Sequence, residues 1–547
     1  MKRSDDAEKT LHNQENILPT AQLLVVFGVL ALVLCVCFMD QNGISVALPT
    51  IAKDLNAQET ISWAGTSSLI ANTVFSVLYG RLSDIFGRKV IFLSACALLA
   101  LGDLLCGLAQ DPAMLYVFRA VAGLAGGGIT NLTMIIVSDV VTLKDRGKFQ
   151  GILGACVGLG NVAGPFVAAA FIENTTWRAF FYLLAPLVAL CGVAAMFLLP
   201  STAPAAGFLE SARKIDHWGT LTSAVAVIFL LVPISGGGAY FPWASPMVIA
   251  MLAIGSSALV LFVGVEWKVA SLPMMPVQIF GDRVVATLLA QSFLLGWVYQ
   301  SYLYYLPMYY QNVRGYSAVT SAALTIPIMA TQAVASIVSG QYMSRRGRYG
   351  EVLWVGFGAW TLGSGLTILF NRTTSPAACA VILCVVGFGV GNVFQPTLVA
   401  LQAHSPKARR AVIVSNRNFF RCCGGACGLA VAAAVLQASL RASLPARFQY
   451  LAESTYARPN LGSADMAVVL DAYMKAMRNV FIIQVPLIGL CLLGCLLITD
   501  QGLERPDERP VQAVQEDGIE AKAAASDIHD GRSVNPRVEI FEQSEGG

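Results

Sequence analysis

The stretch GRLSDIFGRK, residues 80–89, places three cationic side chains, one carboxylate and two glycines between long apolar runs. A charged side chain at the centre of a bilayer costs about 2.5 to 3.5 kcal/mol, so such a cluster is typical of a turn between two membrane-spanning helices. The composition agrees, because 56% of the 547 residues are hydrophobic, 13% are charged, and the mean hydropathy is +0.64. These values exclude an ordinary soluble domain and indicate a polytopic membrane protein.

Fourteen apolar stretches are long enough to cross a bilayer as helices, which requires about 20 residues each. Backbone groups in lipid must be hydrogen-bonded within their own segment, and this favours helices over open strands. We therefore predict an all-α polytopic fold. The predicted spans cover residues 22–48, 63–82, 90–110, 114–139, 149–172, 179–199, 217–235, 246–266, 284–311, 319–341, 351–370, 376–402, 410–438 and 476–498.

Lysine and arginine residues concentrate in every second loop, and positively charged loops stay on the cytoplasmic side of a membrane. The loops after the even-numbered spans hold most of these residues, as at 81–89, 144–148 and 345–348. The first twenty residues are polar, which argues against a cleaved signal peptide. Both termini are therefore predicted to be cytosolic, and residues 80–89 lie at what we call the predicted cytoplasmic end.

The sequence GQYMSRRGRY, residues 340–349, echoes residues 80–89, with a second glycine after seven residues and an arginine directly after it. The echo pairs the tenth span with the second, and it divides the chain into two sets of six spans around two inserted ones, as in transporters built from repeats. Ser344 stands where Asp84 stands, so a charged latch would be centred on the first copy. We expect a cytosolic tail at 1–21, an N-terminal bundle at 22–199, an inserted pair with flanking loops at 200–283, a C-terminal bundle at 284–498 and a disordered cytosolic tail at 499–547.

Three charged residues lie deepest in the predicted spans, namely Asp40, Asp103 and Arg119. The four histidines fall in tails, loops or helix ends, so carboxylates are the candidates for carrying a proton. A neighbouring arginine favours the ionised carboxylate, whereas burial disfavours it. We predict that Asp40 is the proton or cationic-substrate site and that Arg119 controls its protonation; the alternative is a static ion pair. Asp103 is predicted to be a second proton site, a selector of substrate charge or an inert partner of Arg119.

Aromatic rings with polar tips suit a cavity for bulky apolar or cationic ligands, and they are frequent in YQSYLYYLPMYYQ, residues 299–311. The candidates for the cavity wall are Tyr302, Tyr305 and Gln311. Tyr309 and Tyr310 lie near the outer boundary, where tyrosines commonly anchor a helix at the membrane interface.

Arg417 and Arg421 stand one helical turn apart in the thirteenth span. They face either the cavity from its inner half or the phosphates of lipid headgroups. Asp139 and Glu266 lie at the cytoplasmic ends of their spans, and the preferred interpretation is that both are solvated helix ends.

The glycines and charges of GRLSDIFGRK suit a latch between two conformations. Glycine lets backbones turn or approach closely, and Asp84 can pair with Arg81 or Arg88. The motif resembles the cytoplasmic loop motif of the major facilitator superfamily. The residues that carry this resemblance are Gly80, Asp84, Gly87, Arg88 and Lys89.

Further motifs resemble those of the fourteen-helix drug:proton antiporter branch of that superfamily, especially its fungal multidrug and toxin efflux members. They are MDQNGISVALPTI (39–51), RAVAGLAGGG (119–128), GLGNVAGP (158–165), WRAFFYLLAP (177–186), YLPMYYQNVRGYS (305–317) and RNFFRCCGGACG (417–428). The resemblance implies the major facilitator fold with 6+2+6 helices. It also implies a proton-coupled exporter of small amphipathic toxic compounds or secondary metabolites that works by alternating access.

The fifth span carries glycines at spacings of four, which let another helix pack closely, and a proline that can bend the helix. These residues are Gly154, Gly158, Gly160, Gly164 and Pro165. Ordinary small-residue packing explains the glycines equally well, and their link to antiport comes from the resemblance alone. The family motif commonly continues with a glycine pair, where this chain reads FVAAAF, residues 166–171.

Two other functions stay open: a vacuolar proton antiporter for basic amino acids and a non-transporting membrane sensor. An enzyme is not expected, because the chain has no intramembrane histidine or metal-ligand cluster and no G-x-x-x-x-G-K-[ST] phosphate loop. We expect no cofactor, a proton gradient as the driving force, and a monomer whose partners are a small-molecule substrate, protons and the bilayer, without nucleic acid. We predict the plasma membrane, with the vacuolar membrane as the alternative. Glycosylation is predicted at the sequons of Asn174 and Asn371.

Overall fold

The computed structural model describes residues 18–57, 60–61, 63–200, 215–237, 241–406, 409–452 and 463–503. These described residues form fourteen long helices and no β-strand, which confirms the predicted all-α fold. Twelve of the helices are long and apolar enough to cross a membrane, whereas α2 and α11 fall short of that apolarity. In chain order the helices are α1 (Thr20–Asp54), α2 (Trp63–Phe86), α3 (Arg88–Leu108), α4 (Pro112–Val140), α5 (Leu143–Asn174), α6 (Trp177–Leu198), α7 (His217–Gly236), α8 (Pro246–Lys268), α9 (Arg283–Met308), α10 (Ala318–Arg346), α11 (Gly350–Thr367), α12 (Pro376–Ala403), α13 (Arg410–Ser443) and α14 (Ser463–Gly494).

Several helices extend beyond the apolar stretch that predicts them. Helix α14 begins at Ser463 rather than near residue 476, because Val469 and Tyr473 are already buried in the core there. Its exposed face carries Asp471, which pairs with Arg372 at 2.8 Å. Hydropathy alone therefore predicts the apolar part of a helix and misses an amphipathic extension of it.

The start of the predicted C-terminal tail is folded. The carboxylate of Asp500 accepts hydrogen bonds from the backbone N–H groups of Tyr349 and Gly350 at 3.0 and 2.8 Å, where it caps the positive end of α11. Leu503 is buried, and its N–H donates to the carbonyl of Gly347 at 2.9 Å. The prediction of a disordered tail from residue 499 is therefore wrong for 499–503. Residues 1–17 and 504–547, which hold the rest of the two predicted tails, lie outside the described residues.

Two large hydrophobic cores organise the helices. One is built from buried residues of α1–α6 and their connections, which we call the N-half. The other is built from α9–α14, the C-half, together with Met134, Ile135 and Leu143 of the N-half. The inserted helices α7 and α8 pack on each other, and α7 also contacts α2 and α13. These cores support the predicted division into two bundles, whose limits at 22–199 and 284–498 remain a prediction.

The halves meet along two helix crossings, α2 with α13 and α5 with α10. At the first crossing a Cβ atom on Gly80 would lie 2.8 Å from the carbonyl oxygen of Ala411. At the second crossing a Cβ atom on Gly340 would clash with the carbonyl oxygen of Gly147. Gly80 and Gly340, the first residues of the two echoed sequences, therefore have the same role. Each lets the halves approach closely at the predicted cytoplasmic end.

We expect Gly340→Ala to destabilise the protein, because its methyl group would press on backbone that cannot move independently. Overpacking of this kind costs about 1 to 3 kcal/mol. Gly358→Ala is the matched control, since a Cβ atom there meets nothing within 4 Å and alanine favours the helix. Thermal unfolding of the purified protein in detergent, followed by tryptophan fluorescence, measures the effect. Equal melting temperatures for the two variants would contradict the close-contact interpretation.

Candidate functional site

A small central cavity, lined by residues of both halves, lies between them. Helices α1, α4 and α5 contribute to its wall from the N-half, and α9, α10, α12 and α13 contribute from the C-half. Its apolar wall includes Phe38, Val157 and Phe394. The larger polar side chains at the cavity are Thr130, Tyr299, Gln332, Gln395, Arg417 and Arg421.

Arg417 and Arg421, which we call the arginine pair, both line this cavity. Arg417 is 1% exposed; it donates to Asn418 Oδ1 at 3.0 Å and to the carbonyl of Phe394, and its Nε has no hydrogen-bond partner. Arg421 is half-buried, and its Nη2 lies 3.7 Å from the sulfur of Cys422. Among the described residues no carboxylate lies within ion-pair distance of either guanidinium. The cavity therefore carries two positive charges that none of the described carboxylates pairs with.

The other predicted cavity residues point elsewhere. Tyr302 is hydrogen-bonded with Thr367 at 3.1 Å and stacks on Phe481, and Tyr305 donates to the carbonyl of Leu429 at 3.4 Å. Gln311 is exposed. Each step of three residues turns the helix face by about 60°, so the tyrosines after residue 299 rotate progressively away from the cavity.

Tyr309 and Tyr310 are buried inside the C-half and are not interface anchors. The hydroxyl of Tyr309 donates to the carbonyl of Asn371 at 2.7 Å, and its ring stacks on Phe370. A π-helical turn over Tyr309–Val313 follows α9 and directs these rings inward.

A chain of side-chain hydrogen bonds crosses between the halves at the cavity wall. Asn42 donates to Asn161 at 2.7 Å, Asn161 donates to the hydroxyl of Tyr299 at 3.1 Å, and Tyr299 donates to Gln332 at 3.1 Å. The sequence analysis missed all four residues. Two signals were available, because Tyr299 opens the aromatic run on α9 and Asn161 interrupts the glycines of α5.

Asp40, Asp103 and Arg119 come together inside the N-half, and we call them the acid cluster. Arg119 Nη1 lies 2.5 Å from Asp40 Oδ1, and both residues are 1% exposed. Asp103 is fully buried beside Asp40, and neither of its oxygens receives a hydrogen bond from a fixed donor. The ring of Phe181 lies 5.9 Å from the Arg119 guanidinium. The guanidinium of Arg119 thus pairs with one of two neighbouring carboxyl groups, in a place that water does not reach in this conformation.

None of the three residues of the acid cluster lines the cavity. Helix α1 separates the two places, because Phe38 lies at the cavity whereas Asp40 pairs with α4. Asp40 therefore makes no contact with a substrate in the cavity in this conformation. Its predicted role in proton transfer is neither supported nor opposed by this placement.

The glycines of α5 face two different neighbours. A Cβ atom on Gly154 would press on Ser336 and Gln395 of the C-half, and one on Gly158 would lie 3.4 Å from Ala333. Cβ atoms on Gly160 and Gly164 would instead meet the backbone of α1. Pro165 lies inside the helix. One strip of glycines therefore packs across the interface between the halves, and the other packs within the N-half.

An ionic network closes the predicted cytoplasmic end, and we call it the cytoplasmic gate. Asp84 pairs with Arg88 at 2.7 Å, Arg88 Nε lies 2.9 Å from Asp139 Oδ2, and Asp139 Oδ1 lies 3.2 Å from Arg410 of the C-half. The expectation that Asp139 is a solvated helix end is wrong, because the residue is 5% exposed and bridges the two halves. Its sequence position is that of an ordinary helix end, so only the packing of α13 against α4 reveals the bridge.

The remaining residues of the loop motif support the turn between α2 and α3. Gly87 adopts a φ of 92°, which glycine tolerates and other residues rarely adopt. Lys89 donates to the carbonyl of Leu199 at 3.0 Å.

The two predicted glycosylation sites are exposed at the end of the molecule opposite the cytoplasmic gate. Asn174 is the last residue of α5, and Asn371 follows α11. Nearby, hydrogen bonds from Arg178 and Trp177 hold the pKa of Asp54 below its ordinary value. Glycosylation remains a prediction.

The chain is similar to transporters in sequence and in fold. The family model of the Major Facilitator Superfamily matches residues 30–429. Citrate exporter 1 of Yarrowia lipolytica is 48% identical over 528 residues, which cover 95% of this chain and 78% of that protein. The MFS-type transporter clz4 of Cochliobolus lunatus is 45% identical over 500 residues, with coverage of 91% and 90%. The efflux pump dotC of Dothistroma septosporum is 32% identical over 403 residues, with coverage of 74% and 70%.

Solved structures with the same fold are much more distant in sequence. The human organic anion transporter MFSD10 superposes with a TM-score of 0.56 at 14% identity, covering 88% of this chain and all of that one. The proton:xylose symporter XylE superposes with a TM-score of 0.58 at 15% identity, with coverage of 90% and 99%. At these identities the likeness concerns the fold alone.

We expect Asp139→Asn to loosen the cytoplasmic gate, because Arg88 and Arg410 then lose the carboxylate between them. Removing one partner of a buried ion pair costs about 3 to 5 kcal/mol. Amide hydrogen exchange, followed by mass spectrometry, should therefore rise by about tenfold or more around residues 136–150 and 402–415.

The matched control is Asp54→Asn at the opposite end of the molecule. Asp54 pairs with Arg178 at 2.6 Å, but both side chains are substantially exposed, and such pairs contribute little. This variant should leave exchange near the gate unchanged. If Asp139→Asn also leaves it unchanged, the network does not hold the halves together.

Proposed function

Because the chain belongs to the Major Facilitator Superfamily, we propose that it exports a small organic acid with more than one carboxylate, by alternating exposure of the central cavity to the two sides of a membrane. The observation that carries this proposal is the arginine pair, which lines the cavity and has no acidic partner in the described part of the chain. The family and the many apolar helices indicate a membrane transporter, and the class of substrate is what we propose.

Electrostatics favours an anionic substrate. A buried charge without a partner costs several kcal/mol, and a solute carboxylate would supply the missing counter-charge. Guanidinium groups bind carboxylates through two parallel hydrogen bonds, which adds geometric selectivity to the attraction. Two guanidiniums one turn apart suit a solute with two or more carboxylates. The same charges repel a basic amino acid, which makes the alternative of a cation antiporter the weaker one.

The relatives support the export of an acid. A protein named as a citrate exporter is 48% identical across 95% of this chain, so we propose citrate or a close polycarboxylate as the substrate. Export from the cell places the protein in the plasma membrane, and this localisation is part of the proposal.

A second candidate is the predicted efflux of an amphipathic metabolite. The apolar side chains of Phe38, Met134, Val157 and Phe394 line part of the cavity and would suit such a compound. Relatives at about a third identity, such as the efflux pump dotC, also support it. This candidate leaves the two arginines without a counter-charge unless the metabolite is itself an anion.

We propose that the acid cluster is the proton site of this transport. With both carboxyl groups ionised the cluster carries a net charge of −1, and one bound proton makes it neutral. Asp40 is already paired with Arg119, whereas Asp103 has no fixed donor, so Asp103 is the carboxyl group that we expect to bind the proton. Helix α1 carries Asp40 on one side and Asn42 on the other, and Asn42 begins the hydrogen-bond chain to Tyr299 at the cavity. A movement of α1 would therefore affect both places.

We expect Arg417→Gln and Arg421→Gln to lower the initial rate of citrate transport in proteoliposomes by about 10-fold to 100-fold each, since a hydrogen bond to a charged group contributes about 1.5 to 3 kcal/mol. Arg421→Lys should keep part of the rate, because it keeps the charge and loses the fork. Arg178→Gln, at a half-buried arginine outside the cavity, is the control and should transport normally. If the wild type transports citrate and both glutamine variants transport it at the same rate, the arginine pair does not bind the substrate. No citrate transport by the wild type would favour the amphipathic substrate.

We expect Asp103→Asn to uncouple transport from the proton gradient. The variant should still exchange labelled for unlabelled citrate across vesicles at equal pH, but an imposed pH gradient should no longer drive accumulation. Asp40→Asn should do the same and should also lose stability, because Arg119 is left buried without its partner. The control is Asp111→Asn at the exposed start of α4, where asparagine caps a helix equally well. Gradient-driven accumulation that survives Asp103→Asn would remove Asp103 from the proton pathway.

A further inference from the structure

We infer that Glu266, on the second inserted helix, is a positioning residue that holds the protein closed at the predicted cytoplasmic end. It acts through residues 271–276, which we call the strap. The strap links α8 to the short helix that precedes the C-half. The inserted helices would thus have a structural role in closure, whatever the identity of the substrate.

The carboxylate of Glu266 holds the strap by its backbone. It accepts hydrogen bonds from the N–H groups of Met274 and Met275 at 3.2 and 2.9 Å. Glu266 is 5% exposed, so the expectation that it is a solvated helix end is wrong. A buried carboxylate that accepts two backbone N–H groups fixes the conformation of the segment that donates them.

The strap in turn joins the two halves. Arg81 of the N-half donates from Nε to the carbonyl of Pro273 at 2.7 Å. Asn416 of the C-half donates from Nδ2 to the carbonyl of Met274 at 3.0 Å. Two neighbouring carbonyls of the strap are thus held by side chains from opposite halves.

Apolar packing reinforces the same junction. Leu272 and Met274 are 3% and 2% exposed. Met274 packs in a cluster with Val77 and Leu78 of α2 and Phe262 of α8, and Phe419 of α13 covers it. The strap therefore lies beside the α2–α13 crossing, where Gly80 lets the helices touch.

These contacts belong to one conformation only. Opening the cavity toward the predicted cytoplasmic end requires α2 and α13 to move apart, and the strap cannot then keep its bonds to both Arg81 and Asn416. Every contact that Glu266 secures is consequently a contact of the closed state. Loss of the Glu266 carboxylate should shift the population toward the open state.

The experiment measures the distance between the halves at a place that the strap does not touch. Spin labels on unnatural amino acids at Lys148 of α5 and Arg345 of α10 report on the second crossing, and both positions are exposed. Pulsed electron paramagnetic resonance on the full chain in nanodiscs, without substrate, gives the two populations. We expect Glu266→Leu to raise the long-distance population about fivefold or more over the wild type. Glu266→Gln, which keeps one acceptor oxygen, should fall between the two.

Asn416→Leu breaks the junction from the other side and should shift the distances in the same direction, with little added effect in combination with Glu266→Leu. Glu351→Leu, at an exposed acid of the same end, is the control and should match the wild type. Distances that stay at the wild-type value in Glu266→Leu and in Asn416→Leu, with both proteins folded and monodisperse, would overturn the inference. The labels report on the state of the halves without any solute, so this result would leave the proposed transport of acids standing.

Discussion

Compensation of buried charge is the constraint on which the structure depends. In the cytoplasmic gate, carboxylates and guanidiniums alternate, so each charge has a partner from a neighbouring helix. In the acid cluster, the guanidinium of Arg119 pairs with Asp40, and the second carboxyl group, Asp103, is buried beside them without a bonded cation. Around the arginine pair, the residues that the structure describes supply no counter-charge. We propose that a proton completes the acid cluster and that a solute anion completes the arginine pair, whereas the charges of the gate are paired among themselves.

Glycine residues allow close contact between the two halves. The halves touch at the crossings where Gly80 and Gly340 leave room for a neighbouring backbone, and α5 carries a further glycine strip toward the C-half. At these glycines no side chains interlock, so the helices can separate with little rearrangement. The cytoplasmic gate and the strap add specific hydrogen bonds and ion pairs to the closed state. Closure of the predicted cytoplasmic end is therefore held by a few named interactions between smooth surfaces, which suits a rocking movement of two bundles.

Much of this fold could be predicted from the sequence, because long apolar runs determine the helices. The direction in which they cross the membrane, which the distribution of positive charge indicates, stays a prediction. The pairing of Asp40 with Arg119 could also be predicted in part, because both are among the deepest charges in the predicted spans. Side chains whose role depends on tertiary packing could not be predicted: Asp139 and Glu266 read as solvated ends, yet both bridge separate elements. The residues of the cavity wall could not be predicted for a similar reason. The rotation of α9 about its axis decides that Tyr299 lines the cavity and that Tyr302 does not.

The most direct test of the account is a cryo-electron microscopy structure of the protein with citrate bound. The account predicts ligand density in the central cavity, with carboxylates in hydrogen-bond contact with the guanidiniums of Arg417 and Arg421, and no density at the acid cluster. Density elsewhere in the molecule, or a cavity that stays empty at a citrate concentration that saturates transport, would contradict it.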